Sequence, residues 1–177
     1  MVKAYIHDND NSVDARETHD AGVPVTLERL EKLGVIYRYL KTQPEVEALA
    51  KERDYKNQDT VNIQVSTFGN DESLFQKKLA IFYEEHLHED EEIRYCLEGT
   101  GYFDIRDNHS GEWIRCKVDP GDLLIVPAGI YHRFALDTTN YIKALRLFKD
   151  EPKWEAINKS QRAEESSTRK AYLQSIV

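Results

Sequence analysis

Apolar and polar positions alternate along the second half of the chain, from residue 86 to about residue 148. The alternating segments are short and are separated by turn sequences such as EGTG, VDPGD and DTTN, a pattern typical of strands joined by tight turns. Strands are predicted at residues 92–98, 101–107, 112–118, 122–128, 132–137 and 141–148. So many short strands at close spacing favour a β-sandwich or a β-barrel.

The first part of the chain carries three helical signals among short strands. Thr26 can cap the N-terminus of a helix over LERLEKL that ends at Gly34, a residue type suited to the position after a helix. Pro44, at a first helical position, predicts a second helix, and Asp71 or Ser73 can cap a third. Further strands are predicted at residues 35–40 and 61–66.

These elements predict one domain across residues 1–177, a length that a single hydrophobic core can support. We expect N-terminal strands and helices over about 1–84, a barrel core over about 85–150, and a polar C-terminal tail over about 158–177. The tail is interpreted as a surface helix or a partly disordered end.

Composition and charge narrow the classes of protein that fit. The net charge of −8 leaves no basic surface for nucleic acid or an anionic membrane. No apolar run reaches the roughly 18 residues of a membrane-spanning helix, and we expect no signal peptide, because no charged-then-apolar segment precedes the first turn. Cys96 and Cys116 lie in alternating apolar stretches and are expected to be reduced core thiols. We therefore expect a monomer in the cytoplasm, small enough for a nuclear pool as well.

Four residues of metal-binding type stand in the β region. His86 and His88 are two positions apart, so on a strand they share a face. Glu92 opens the next extended run, and His132 follows the turn residues 127–129. Three imidazoles and one carboxylate suit a divalent transition metal.

The spacing of these residues matches two motifs. The pattern H-x-H-x3-E-x6-G runs from His86 to Gly99, and G-x5-P-x-G-x2-H runs from Gly121 to His132. Together they are the two cupin motifs, and the chain resembles that superfamily. The resemblance implies a mainly β fold with flanking helices, built on a double-stranded β-helix, or jelly-roll, barrel.

Each motif taken alone has an ordinary explanation. A pair of surface histidines explains H-x-H, a solvated turn explains one more glutamate, and a hydrogen-bonded strand start explains one histidine; the joint spacing is what favours a metal site. The remaining histidines, His7, His19 and His109, lie in polar segments without partner spacing and are expected on the solvated surface.

A narrower resemblance rests on longer stretches: EEHLHEDEEIRYCLEGTGYFDIRD, GDLLIVPAGIYHRF and KALRLFKDEPKW. With these the chain resembles the acireductone dioxygenases of methionine salvage, from its first strand to Trp154. It departs from the general cupin pattern at Ala80, where the first motif usually opens with Gly, and at Leu136, where the second often ends with Asn. Neither position is a ligand.

That resemblance implies that His86, His88, Glu92 and His132 hold one Fe(II) or Ni(II) per chain, with two open coordination positions. The implied substrates are 1,2-dihydroxy-3-keto-5-methylthiopentene and O2. With iron the implied products are 4-methylthio-2-oxobutanoate and formate; with nickel they are 3-methylthiopropanoate, carbon monoxide and formate.

Two arginines are candidates for the chemistry. Arg94 lies two residues after Glu92 and therefore on the same face of its strand. Because an inward arginine is costly without a partner, we expect its guanidinium to hold an anionic substrate oxygen, although a sheet edge or a nearby glutamate would also satisfy it. Arg146 matches a second arginine that the family places near the site.

Three aromatic residues are candidates for binding the methylthio end of the substrate. Phe134 is two residues after His132, and Phe82 precedes His86 by four. Trp154 lies in a segment that family members fold over the barrel mouth. For each of them, plain core packing is an equally good explanation; for Tyr95, Leu97, Phe103 and Ile105 packing is the simpler one.

Two other classes of protein remain open at this point. A cupin isomerase or metal-dependent binding module would use the same four ligands without dioxygen. A regulatory protein would hold the metal structurally, although structural zinc usually prefers a closed tetrahedron of cysteine and histidine.

Overall fold

Two antiparallel β-sheets dominate the computed structural model, which describes residues 3–150 and 155–176. The strands are β1 (Lys3–His7), β2 (Asp20–Pro24), β3 (Ile36–Tyr39), β4 (Asn57–Ile63), β5 (His86–Leu87), β6 (Glu92–Gly99), β7 (Gly101–Arg106), β8 (Trp113–Val118), β9 (Asp122–Val126), β10 (His132–Leu136), β11 (Ile142–Phe148) and β12 (Ile157–Asn158). The helices are α1 (Leu27–Lys32), α2 (Gln43–Glu52), α3 (Glu72–Tyr83), α4 (Gln161–Glu165) and α5 (Ser167–Ser175), with a 3₁₀ turn at Val65–Phe68.

The order of strands explains how the sheets enclose a core. One sheet runs β12-β5-β10-β7-β8-β1-β2 and the other runs β3-β9-β6-β11-β4. Apolar side chains of both sheets meet in one buried cluster, for example Phe103 and Ile114 from the first sheet with Cys96 and Leu124 from the second. The two sheets therefore pack face to face as a jelly roll, with strands of the first half of the chain extending both of them.

The six strands predicted from residue 92 onwards are confirmed as β6 to β11, each within two residues of its predicted bounds. The prediction for residues 61–66 was wrong in its bounds, because β4 covers Asn57–Ile63 and Val65 lies in the 3₁₀ turn. The polar start of β4 is a strand because it pairs with β11 along its whole length, from Ile63 opposite Ile142 to Asn57 opposite Phe148. Pairing overrides the weak local preference of those residues.

The predicted helix signals are confirmed. The Thr26 side chain accepts a hydrogen bond from the Arg29 amide, and Gly34 follows α1 with φ of +82°. Pro44 lies in the first turn of α2. Of the two candidate caps for α3, the structure uses Asp71, whose side chain accepts from the Leu74 amide. These caps satisfy backbone donors that a helix start otherwise leaves unpaired.

Strand β9, an inner strand of the five-stranded sheet, is apolar from Leu123 to Val126. All five of its residues are buried. Leu124 faces the core between the sheets, whereas Leu123 packs on the outer face with Val46 and Leu49 of α2. A strand covered on both faces has no polar side to alternate with.

The C-terminal helices are docked on the barrel. Arg169 and Tyr172 of α5 are only 5% and 4% exposed, and the Tyr172 hydroxyl donates to the Leu33 carbonyl at 3.0 Å. Gly129, in the turn before β10, has φ of +84°, and a Cβ there would lie 2.6 Å from the Thr168 carbonyl oxygen. Glycine is therefore required at this turn both by its backbone and by the close approach of α5.

The structure also bears on the two cysteines and on helices that could cross a membrane. Cys96 and Cys116 are buried free thiols, as predicted. Among residues 3–150 and 155–176, no helix combines the length and apolarity needed to cross a bilayer.

Candidate metal centre

The four predicted ligands converge between the two sheets. His86 on β5 lies directly opposite His132 on β10, His88 follows β5, and Glu92 is the first residue of β6 in the other sheet. One ligand atom from each side chain lies within 4.8 Å of all the others. The cluster therefore forms only when both sheets are in place.

Backbone carbonyls fix the orientation of all three imidazole rings. The partners are the Glu84 carbonyl for His86 (2.5 Å), the Glu155 carbonyl for His88 (3.1 Å) and the Ile130 carbonyl for His132 (3.0 Å). Because a carbonyl oxygen only accepts, each Nδ1 carries the proton and each Nε2 is left to face the cluster. This arrangement is the one that holds metal-ligating histidines in proteins, so the residues present fit a divalent transition metal.

The carboxylate of Glu92 completes the donor set. Its Oε2 lies 2.8 Å from Nε2 of His132 and 3.2 Å from Nε2 of His88. Burial opposes the charged form, but Arg94 and the two histidines outweigh it and hold the pKa of Glu92 well below its usual value. The side chain is therefore an anion near neutral pH, as a metal ligand has to be.

The histidines differ in their readiness to take up a proton. Burial, with help from His132, lowers the pKa of His86 to about 4, so this ring is neutral near pH 7. Burial acts in the same direction on His88, but its hydrogen bond with Glu92 and the charge of that carboxylate outweigh burial and raise the pKa of His88. Protons and a metal ion thus compete more directly at His88 than at His86.

A cavity of about 330 Å³ opens beside the cluster. All four candidate ligands line it, together with the two predicted arginines. Its other walls are largely apolar, with contributions from Val61, Ile63, Phe82, Phe103, Phe134 and Ile142. A concave apolar pocket with a few polar groups at one end is the usual form of a small-molecule site.

Both candidate arginines reach this cavity, and each has an acidic partner. Arg94 Nη2 lies 3.0 Å from Oε1 of Glu92. Arg94 therefore pairs with a nearby glutamate, as the sequence analysis allowed, and this glutamate is one of the candidate metal ligands. Arg146, opposite Arg94 on β11, makes two contacts with Asp59 of β4. Asp59 carries no motif signal, and only the pairing of β4 with β11 reveals it.

Aromatic rings pack together at the apolar end. Phe82 of α3 meets Phe134 edge-on at 6.3 Å between ring centroids, and Phe103 lies 4.9 Å from Phe134. The sequence analysis assigned Phe103 to plain packing, but this residue also lines the cavity. Phe103 lies opposite Phe134 in the β7–β10 pairing, and that pairing would have been needed to predict its position. Trp154 lies outside the described residues.

The remaining histidines include a wrong prediction. His109 is exposed as expected, but His7 and His19 are only 3% and 4% exposed. His19 donates from Nε2 to the Asp14 carbonyl at 2.7 Å, and its Nδ1 lies 2.7 Å from the Asp8 carboxylate. Its ring stacks on that of His7 with 4.5 Å between centroids. The prediction failed because the segment around both histidines is polar in sequence. The partners that surround them come together only when this loop folds.

A jelly roll of two antiparallel sheets with this cluster between them defines the molecule as a cupin, which confirms the predicted fold class. The family model described as the ARD/ARD′ family matches residues 3–156. The chain belongs to that family, which comprises the metal-dependent acireductone dioxygenases of methionine salvage, and the predicted resemblance is confirmed.

Individual relatives agree with this assignment. The chain is 59% identical to an acireductone dioxygenase of Saccharomyces cerevisiae over 174 residues, covering 98% of this chain and 97% of the relative. It is 51% identical to one of Candida albicans over 178 residues, covering 99% of each. A solved acireductone dioxygenase from Bacillus anthracis, with a cadmium ion in its active centre, aligns with a TM-score of 0.67 at 22% identity, covering 89% of this chain and 98% of that one. This last likeness shows the fold alone.

Proposed function

We propose that this enzyme cleaves 1,2-dihydroxy-3-keto-5-methylthiopentene with O2, using one Fe(II) or Ni(II) held by His86, His88, Glu92 and His132. The observation that carries the proposal is the convergence of three Nε2 atoms and one carboxylate at one end of a cavity whose other walls are largely apolar. A substrate with a polar enediol at one end and a methylthio group at the other matches the polarity of that cavity.

The proposed products depend on the metal. With iron we expect 4-methylthio-2-oxobutanoate and formate; with nickel we expect 3-methylthiopropanoate, carbon monoxide and formate. Imidazole and carboxylate ligands accept both ions. When bound, the metal would supply a Lewis acid that orients the enediol and stabilises its anion.

Arg94 supplies positive charge at the polar end. Its side chain is 20% exposed and lies against Glu92, inside the cavity rather than on the outer surface. A guanidinium keeps its charge and offers several donors in one plane. We assign to it the binding of an anionic substrate oxygen beside the carboxylate of Glu92.

The apolar end excludes water and binds the methylthio group. Phe82, Phe103 and Phe134 present their rings to one another and to the cavity. Sulfur next to aromatic rings is a favourable contact. We therefore assign these three rings, with Trp154 as a further candidate, to substrate binding.

The decisive test is product identification after reconstitution with a single metal. Metal-free protein is loaded with Fe(II) or Ni(II) without oxygen, its metal content is measured, and substrate and O2 are added. The proposal expects about one ion per chain and a different set of products for each metal. Loaded protein that consumes no O2 with an acireductone would overturn it, and turnover to an isomer instead would favour the isomerase class.

Three further properties are part of the proposal. We propose that residues 1–177 form one domain, since β1 to β4 belong to the same two sheets as the barrel strands. We also propose a monomer located in the cytoplasm, with a nuclear pool. Light scattering at several concentrations tests the monomeric state, and fractionation of cells tests the location.

A further inference from the structure

Three charged side chains lie side by side across β4, β11 and β6. Arg146 is the direct cross-strand neighbour of Asp59 on one side and of Arg94 on the other. Like charges directly opposite each other destabilise a sheet. Two adjacent guanidinium groups beside a cavity therefore require a counter-charge for each of them.

The two arginines have different counter-charges. Arg94 uses Glu92, a candidate metal ligand, at 3.0 Å. Arg146 uses Asp59, with Nε to Oδ1 at 2.8 Å and Nη2 to Oδ2 at 2.6 Å. This two-point contact fixes the plane of the guanidinium, which a single contact leaves free to rotate.

The charges of the row also act on one another. Arg146 stands between Asp59 and Arg94 in the row, so the two positive charges are adjacent and the negative charge of Asp59 is next to them. Asp59 thus offsets part of the repulsion between the arginines although its hydrogen bonds go to Arg146.

We propose that Asp59 is a positioning residue for substrate binding: it fixes the Arg146 guanidinium at the cavity wall and offsets its repulsion of Arg94, so that both arginines present a defined surface to the anionic end of the substrate. This inference rests on the proposed function. The competing explanation is an ordinary ion pair at the rim, since the Asp59 side chain is 41% exposed, and such pairs contribute little to stability.

The test is equilibrium binding of the acireductone to nickel-loaded protein without O2, measured by calorimetry. We compare the wild type with Asp59→Asn, Arg146→Met and the double variant. Asp59→Asn is expected to weaken binding about tenfold, equivalent to roughly 1.4 kcal/mol. If Asp59 acts through Arg146, the substitution has no further effect in the Arg146→Met background.

A matched control comes from the same sheet. Glu98 on β6 pairs across to Lys143 on β11 at 3.5 Å, and neither lines the cavity. Glu98→Gln also removes one acid of a cross-strand pair but is expected to leave binding unchanged. Asp59→Glu keeps the charge and is expected to bind the acireductone more tightly than Asp59→Asn does. It replaces Asp59→Asn in the experiment if that variant does not fold.

The outcomes separate the two proposals. Wild-type protein that binds no acireductone contradicts the proposed function. Wild-type protein that binds, with Asp59→Asn binding equally well, overturns the positioning role alone. Full additivity in the double variant also overturns it, because Asp59 would then act independently of Arg146. In turnover, the positioning role predicts a higher KM with a smaller change in kcat and an unchanged metal content.

Discussion

Among the residues that the structure describes, two clusters bring histidine and acidic atoms within 4.8 Å of one another: His86, His88, Glu92 and His132, and the smaller set His7, Asp8 and His19. In the first, the rings are inclined to each other by 43° to 81°. In the second, the two rings are nearly parallel, at 9°. In-plane lone pairs of parallel stacked rings do not meet at one point, so only the first cluster can direct its nitrogens at one ion.

Proximity alone therefore does not direct histidine nitrogens at a common centre. In the first cluster, three backbone carbonyls accept from Nδ1 and leave each Nε2 directed into the cluster. In the second, the Asn9 amide donates to Nδ1 of His7 at 2.9 Å, and Asp8 already pairs with His19. These contacts join Asp8 to His19 and so hold the two ends of the loop over residues 8–19 together.

The largest expected effect is removal of a candidate ligand. Glu92→Ala or His88→Ala is expected to lower the metal content sharply and to abolish turnover, because each deletes a donor of the cluster. Metal analysis and activity assays measure both. His109→Ala, at an exposed histidine, is the control. Unchanged metal content in both ligand variants would break the assignment.

Arg94→Ala comes next. We expect the metal to remain bound while kcat/KM falls about 100-fold, the usual scale for losing one charged group that stabilises developing negative charge. Parallel measurements of metal content and steady-state kinetics separate the two quantities. Activity equal to that of the wild type would remove the substrate role of Arg94.

His19→Ala tests the second cluster. It deletes a buried ring with two hydrogen-bonding partners, and we expect the free energy of unfolding to fall by about 1–3 kcal/mol. Metal content and product identity should stay the same, since the stacked rings of this cluster do not point at a common centre. Urea denaturation of the metal-free proteins measures the change. Loss of one equivalent of metal would instead make the second cluster a metal site.

The last prediction concerns the pH dependence of stability. Burial, partly opposed by Asp104, lowers the pKa of His7 to about 4 from its ordinary value of 6.5. Between these values the unfolded chain binds more protons at this residue than the folded chain does, so stability falls as pH drops from 6.5 to 4 and His7 adds no further loss below that.

His7→Asn isolates this contribution because an amide oxygen can replace Nδ1 as the acceptor for the Asn9 amide. Stability against urea, measured from pH 7 to pH 4, should decline less steeply in the variant than in the wild type. Identical slopes would show that His7 does not contribute to acid sensitivity.

Much of the fold and of the candidate centre could be predicted from residue patterns. Alternation located β6 to β11 because half-buried strands repeat every two residues. Spacing identified all four candidate ligands, since His86 and His88 share one motif with Glu92 while His132 follows a recognisable turn. The limits of β4, and the burial of His7 and His19, depended on contacts that form only in the folded chain and were not predicted.

Residue patterns were therefore enough to predict the class of fold, the family and the candidate donor set, because these depend on local periodicity and on residue types at short spacing. The folded structure was needed to show which clustered histidines point at a common centre, that Phe103 lines the cavity, and that Asp59 faces Arg146. Those facts depend on strand register and on carbonyls from separate segments, such as Glu155 beside His88. Such contacts exist only once the two sheets have closed and the C-terminal segment has docked.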